Sequence, residues 1–330
     1  IGLGLAMILS SGFALLVTSM EGAFIEAQDA DTWQYAIAYN PFDAEPVETW
    51  LDNEGAGWDT ERALTVPEVN ATGDTRAMTL HARTAFGIDE ADAMHLTRLV
   101  EGRLPVAGAD VPEAMVDVGA ATLLEWSVGD QVEVLVGVTV LKVEIVGIAD
   151  EFERSLWTHH EDVAEPIGMD GLYNMVMLRS DDAGLAAPSG IAGAAVLDQQ
   201  AIRDGFEEGW EQQSQILSVF IGVGLLIAGV ILLNTLIINL TEHDAEYATL
   251  RILGASTPRM GAILTAEHVI IGALAALSGS LFSVWAANAM MVSFSTWSFF
   301  FALDLDLSVV VNYALILFFA AQAMTLVGLR

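Results

Sequence analysis

Glu242-His243-Asp244-Ala245-Glu246-Tyr247-Ala248-Thr249-Leu250-Arg251-Ile252-Leu253-Gly254-Ala255-Ser256 decides how this chain is read. The stretch is a short polar segment between two long apolar runs, 216–240 and 269–292. A polar island in that position must lie at a membrane face, where a soluble partner can touch it. Two further runs, 1–19 and 307–327, also contain no Asp, Glu, Lys or Arg. Each run is about 19 to 25 residues long, enough for a helix to cross a ~30 Å hydrocarbon core. A bilayer admits only segments that satisfy their own backbone hydrogen bonds. The expected fold class is therefore an α-helical membrane protein with four transmembrane helices, plus an α+β extracytoplasmic domain inserted between helices 1 and 2.

Within the quoted segment, Gly254 suits the residue just past a helix C-terminus, because glycine takes the left-handed conformation without cost. Ser256 or Thr257 can cap the next helix, with Pro258 near its first position. The spacing predicts a helix, a tight turn and a second helix, a corner stiff enough to act as a lever. Glu242 and Glu246 share one face, and their like charges alone cost roughly 0.2–0.5 kcal/mol. A basic partner surface would reverse that cost, and Leu250 and Leu253 offer apolar contact beside Arg251. By geometry alone, this reading and that of a solvated, helix-capping loop stand about even.

The 330 residues carry 44 Asp and Glu against 12 Lys and Arg, a formal charge of −32, and Lys142 is the sole lysine. An acidic excess with arginine kept and lysine nearly lost is the expectation for a halophilic protein, whose surface charge is screened by salt. The same balance excludes a basic nucleic-acid footprint. No cysteine is present, so disulfides, thiolate chemistry and cysteine metal sites are excluded. Residues 1–19 lack a basic flank and a small-residue cleavage site, so a retained helix is expected rather than a signal peptide. Both ends fall near apolar runs, as in a piece of a longer chain that could hold a second such unit.

Arg251 and Arg259 follow the second run and Arg330 follows the fourth, whereas Asp304 and Asp306 follow the third. The positive-inside rule then puts 241–260 and the C-terminus in the cytoplasm, and 20–215 and 293–306 outside. Trp297, Phe299, Phe300 and Phe301 fit an outer aromatic belt. Residues 20–215 read as mixed α and β. Strands are expected at 131–136, 140–146 and 174–179, with Gly137 in a hairpin turn. Helices are expected at 91–100 and 198–213, the second running into the membrane helix at 216 as a stalk. His159-His160-Glu161-Asp162 reads as solvated residues rather than a metal site. Asn70-Ala71-Thr72 is a sequon, so Asn70 is the expected glycosylation site. Glu267 and His268 are expected at the cytoplasmic interface. Gly224 with Ala228, and Gly272 with Ala276, have helix-packing spacing.

The pattern E-x-x-x-E-x-x-x-L-R-x-L-G-A-S, from Glu242 to Ser256, resembles the cytoplasmic loop of MacB/FtsX-type ABC transporter permeases. His243, Asp244 and Ala245 replace the cationic residues common there. In the exterior part, Glu101-Gly102-Arg103-Leu104-Pro105, Ala114–Asp117, 120–124, Val128-Gly129-Asp130 and Val146-Gly147-Ile148 follow in the order of the MacB-type core domain. The resemblance implies three domains: transmembrane helix 1 at 1–19, a MacB-like exterior domain with its stalk at 20–215, and an FtsX-like permease domain at 216–330. It also implies a multi-pass cell-membrane location. Glu242, Glu246, Leu250, Arg251, Leu253 and Gly254 would be the ATPase-coupling residues.

No G-x-x-x-x-G-K-[ST] occurs, so ATP would be bound by a separate P-loop ABC ATPase. No cofactor, metal or catalytic residue is expected in this chain itself. The other partners implied are membrane lipid and a second permease unit, in a homodimer or pseudo-dimer. The expected function is a non-catalytic permease subunit that couples ATP hydrolysis by a separate ATPase to motion of the exterior domain, in export, efflux or mechanotransmission. The alternatives are an FtsX-like signalling subunit that regulates an exterior hydrolase or senses a ligand, and a membrane-tethered exterior enzyme.

Overall fold

The computed structural model describes residues 2–89, 93–151, 153–182, 184–242, 249, 252–254, 256–294 and 303–328. The chain divides into two compact units. The first comprises Ile1–Gly22, Gly209–Phe294 and Ala302–Arg330; the second, over the described residues, is Ala23–Glu208.

The first unit is helical. Helix α1 spans Gly2–Ala30, α5 Gln199–Glu242, α6 Thr257–Phe294 and α7 Leu307–Gly328. At 1.5 Å per residue, the 38 residues of α6 extend about 57 Å, well beyond a hydrocarbon core. Its apolar part, Val269–Ser293, is the one helix long and apolar enough to span a membrane among the described residues. The other three apolar runs are helical as expected, and Leu307–Ile316 is a shorter apolar helix among the described residues. Leu15, Ala287 and Val310 bring α1, α6 and α7 into one cluster. Gly12 of α1 faces α6, where a Cβ would meet the Ser283 carbonyl at 3.5 Å and the Ala286 Cβ at 3.9 Å, ordinary contacts that an alanine would also make. Ser19 Oγ donates to the Asp304 carbonyl at 3.0 Å and fixes the loop before α7. The small-residue contact thus involves Gly12 on α1, a position outside the spacing motifs of the sequence.

The second unit is built on a sheet of ten strands among the described residues. The strands are β1 Tyr35–Tyr39, β2 Asp59–Ala71, β3 Ala77–Arg83, β4 Leu99–Gly102, β5 Glu113–Asp117, β6 Gln131–Val136, β7 Thr139–Ala149, β8 Ser155–His159, β9 Met175–Arg179 and β10 Ala194–Asp198. Helices α2 Glu45–Asn53, α3 Val118–Leu124 and α4 His160–Val163 lie between them. Strand β2 belongs to two substructures. Its first half, Asp59–Ala63, pairs with β9, in the order β10-β1-β9-β2. Ile37, Val176 and Leu178 of this part pack under Val47 and Trp50 of α2.

Past Ala63, β2 turns into a closed ring, β2-β3-β8-β5-β7-β6, in which β6 returns to β2 through Asn70↔Leu135 and Ala71↔Val134. Leu64, Leu80, Val116, Val143, Ile145 and Leu156 fill it. The bend has a local cause. The β2–β3 register slips between Val66 and Val69, where Pro67 has no N–H to donate and Glu68 takes φ +60°.

The expected strands at 131–136, 140–146 and 174–179 are β6, β7 and β9, and Gly137 turns the hairpin at φ +60°. The helix expected from 198 begins at Gln199, capped by Asp198, whose Oδ1 accepts from Gln200 N at 2.9 Å and Ala201 N at 3.2 Å. The expected helix at 91–100 is a correction. Residues 93–98 are irregular and lead into β4. Their backbone is bonded across the fold instead, with Thr32 N donating to the Met94 carbonyl at 2.9 Å, Leu96 N to Ala30 at 2.7 Å and Thr97 N to Gly87 at 2.9 Å. Tertiary bonds to buried partners outweigh the weak helix preference of a ten-residue stretch.

Candidate functional site

The corner read from the sequence is present where it is described. Helix α5 ends at Glu242, which is exposed. Thr249 and Ile252 are helical, and Leu253 N donates to the Thr249 carbonyl at 3.1 Å. Gly254 then takes φ +86°, a conformation that costs other residues roughly 1–2 kcal/mol, and α6 starts at Thr257 with Pro258 second. Ile252 and Leu253 are 86% and 77% exposed at this tip. Glu246, Leu250 and Arg251 lie outside the described residues, as do Trp297, Phe299, Phe300, Phe301 and Arg330.

The second unit contains a polar arrangement that the sequence did not reveal. His95, about one-tenth exposed, lies between two carboxylates: Nδ1 is 2.8 Å from Asp31 Oδ1 and Nε2 is 3.3 Å from Glu151 Oε1. Its ring stacks on Trp157 at 4.6 Å, and His81 also stacks on Trp157 at 4.2 Å. Arg83 lies over the same indole and pairs with Glu61 at 3.1 Å, while Glu61 Oε2 accepts from Met94 N at 2.7 Å. Burial pulls the His95 imidazole down, but the Glu151 charge and the bonds to Asp31 and Glu151 outweigh it and raise its pKa to about 9. For His81, burial prevails over the attraction of Glu153 and lowers its pKa. One indole therefore separates a charged imidazole from a neutral one at neutral pH. The network joins Asp31, the residue after α1, to the loops before β4 and after β7. The apolar periodicity of 91–100 conceals it, and the one available signal was a histidine in an otherwise acidic stretch.

Of the segments that carried the family resemblance, Ala114–Asp117 and the Gly102–Gly147 pair are closely packed, whereas Val128-Gly129-Asp130 is exposed. Gly102 and Gly147 pair across β4 and β7, and a Cβ on either would collide with backbone of the other's strand or of Arg103. The β5–β7 register slips beside Gly147, and Gly129 turns into β6 at φ +96°. Arg103 forks onto Glu113 with both contacts at 2.5 Å. Asp117 caps α3 through Gly119 N at 2.8 Å and Ala120 N at 3.0 Å, and also holds the fully buried Arg154 at 2.8 Å. His159 Nε2 meets the Pro105 carbonyl at 3.1 Å, His160 Nε2 meets Leu172 at 2.9 Å and Asp162 accepts from Gly108 N at 2.8 Å, so these neighbours diverge. Among the described residues no group of histidine and carboxylate side chains has the arrangement of a metal site. Asn70 is half-buried where β2 passes from β3 to β6, with a buried Oδ1.

Comparison with known proteins gives one family match, the FtsX-like permease C-terminal model over residues 218–330. No curated protein matches the chain. Among solved structures, the extracellular domain of the noncanonic ABC-type transporter YknZ from Gram-positive bacteria is similar at 14% identity and TM-score 0.34, covering 46% of this chain and 84% of that one. The periplasmic region of MacB from Actinobacillus actinomycetemcomitans is similar at 13% identity and TM-score 0.36, covering 54% and 94%. Residues 218–330 match the FtsX-like permease C-terminal model, and that stretch contains Gly254 and helices α6 and α7.

Proposed function

We propose that the chain is the permease subunit of an ABC-type transporter, driven by a separate ATPase that binds ATP. The observation that carries this reading is the corner at 249–257. It lies inside the permease match, turns at a left-handed glycine and presents Ile252 and Leu253 to solvent. A nucleotide-driven partner that closes on this tip would push α5 and α6. In this reading Glu242, Glu246, Leu250, Arg251, Leu253 and Gly254 form the contact, and the work is done on the exterior domain, in export or mechanotransmission. Four membrane-spanning helices, cytoplasmic placement of the corner and the C-terminus, lipid contact and pairing of two permease units complete the proposal. Neither a bound cofactor nor a catalytic role in this chain is part of it. The acidic composition supports a high-salt setting, and Asn70 is the residue at which intact-mass analysis would find a glycan.

The test is co-purification from detergent-solubilised membranes at high salt, comparing the native chain with Leu253→Asp and with Glu246→Arg plus Leu250→Asp. Loss of a co-purifying P-loop ATPase in the variants, with unchanged elution of the permease, is the expected result. Recovery of no ATPase by the native chain would sink the reading.

A further inference from the structure

We propose that the second unit holds a binding site for an organic cation with an aromatic or apolar body. The proposal rests on that unit's own geometry and is independent of the ATPase-coupling reading. The site is an open pocket of about 650 Å³, formed where the start of β1, the turn into β2 and the end of β10 come together. Trp33, Tyr35 and Trp58 line it, and Tyr35 and Trp58 meet edge to face at 5.6 Å. Leu185 adds an aliphatic wall. Trp33 itself packs in the core with Ala63 and Met94, and a strongly acidic surface accounts for carboxylates in any pocket but not for the Tyr35–Trp58 pair at its wall.

The charge of the lining selects the ligand. Asp29, Asp31, Asp182 and Asp198 line the pocket with Arg203, and Arg179 reaches the lining Thr32, its Nη1 donating to Thr32 Oγ1 at 3.0 Å. Arg203 is already engaged, with Nη1 3.0 Å from Asp29 Oδ1 and Nη2 2.6 Å from the Gln28 carbonyl. Asp31 is held by His95, so the net attraction falls on Asp182 and Asp198. In each of these, Oδ1 accepts backbone N–H groups, from Gly184 at 2.9 Å and from the first turn of α5 at 2.9 and 3.2 Å. Those bonds orient each carboxylate through its Oδ1. The lining offers an ammonium group both carboxylates and aromatic rings, and both attract a cation. A volume of this size suits a small molecule. An anion would meet uncompensated negative charge instead.

The probe is benzyltrimethylammonium, titrated calorimetrically into the full chain in detergent at fixed NaCl, with benzenesulfonate and benzyl alcohol as anionic and neutral controls. Saturable binding of the cation alone is expected. Trp58→Leu, and separately Asp182→Asn with Asp198→Asn, should each weaken it about tenfold. Asparagine at 198 still caps α5, so the second variant stays folded. Circular dichroism melts verify folding of both variants. The proposal is overturned if the cation does not saturate, if both folded variants bind like the native chain, or if benzyl alcohol binds equally well.

Discussion

Gly119 is packed so closely against Arg154 that a Cβ would fall within the guanidinium group. Arg154 is itself buried and held by Asp117, whose own carboxyl is pushed up by burial against the pull of Arg154 and the amides of Ser155 and Ala120. Gly119→Ala should therefore cost about 3 kcal/mol, and Asp117→Ala about 3 kcal/mol because it removes the carboxylate paired with a buried cation. Gly73→Ala, at an open turn with φ +87°, should cost only about 1 kcal/mol; thermal melts of the three variants give the order. The two imidazoles on Trp157 set a pH dependence. The folded pKa of His95 lies above its unfolded value of about 6.5, so its contribution is complete below that pH and is lost as the pH rises through about 9. The full amount is about 3 kcal/mol. His81 is lowered, so its stabilising balance is lost as the pH falls below about 6.5. With respect to this pair, stability peaks near pH 6.5. His95→Gln should flatten the alkaline limb and His81→Gln the acid limb, as read by melting temperature against pH.

At the scale of elements, β2 depends on its break at Pro67 and Glu68, because one strand must serve both the α2-covered sheet and the ring. The slip moves the pairing of β2 onto β3 and β6 with a new register, so both halves keep apolar side chains inside. The corner between α5 and α6 depends on Gly254 in the same way. Gly254→Ala should cost about 1–2 kcal/mol locally. Leu253→Asp should leave the fold untouched, since that side chain is exposed. It should weaken capture of the ATPase about tenfold or more, the worth of one buried leucine, in a binding titration with the purified partner. The helix expected at 91–100 shows how an element is decided elsewhere. Met94 and His95 are fixed by Glu61, Asp31 and Glu151, which stand between 33 and 64 residues away in sequence.

For the whole molecule, a formal charge of −32 means self-repulsion that salt must screen. Raising ionic strength from 0.1 to 1 M shortens the screening length from about 10 to about 3 Å. The melting temperature of the full chain should then rise by about 10 °C between those salts, and a flat or falling trend would count against high-salt adaptation. The sequence by itself determined the apolar helices, the acidic unit of mixed α and β, the hairpin at Gly137, the helix from about 198 and the glycine turn at 254. Each of these is written in neighbouring residues, as a hydrophobic run, a cap, or a backbone angle that glycine alone takes freely. The tertiary structure decided the closure of the ring by β6 onto β2, the Gly12 contact, the Asp31–His95–Glu151 network and the aromatic pocket. These depend on which distant groups meet in a low-dielectric interior, where an unpaired charge is costly and a paired one overrides local preference. No short stretch of sequence records that pairing.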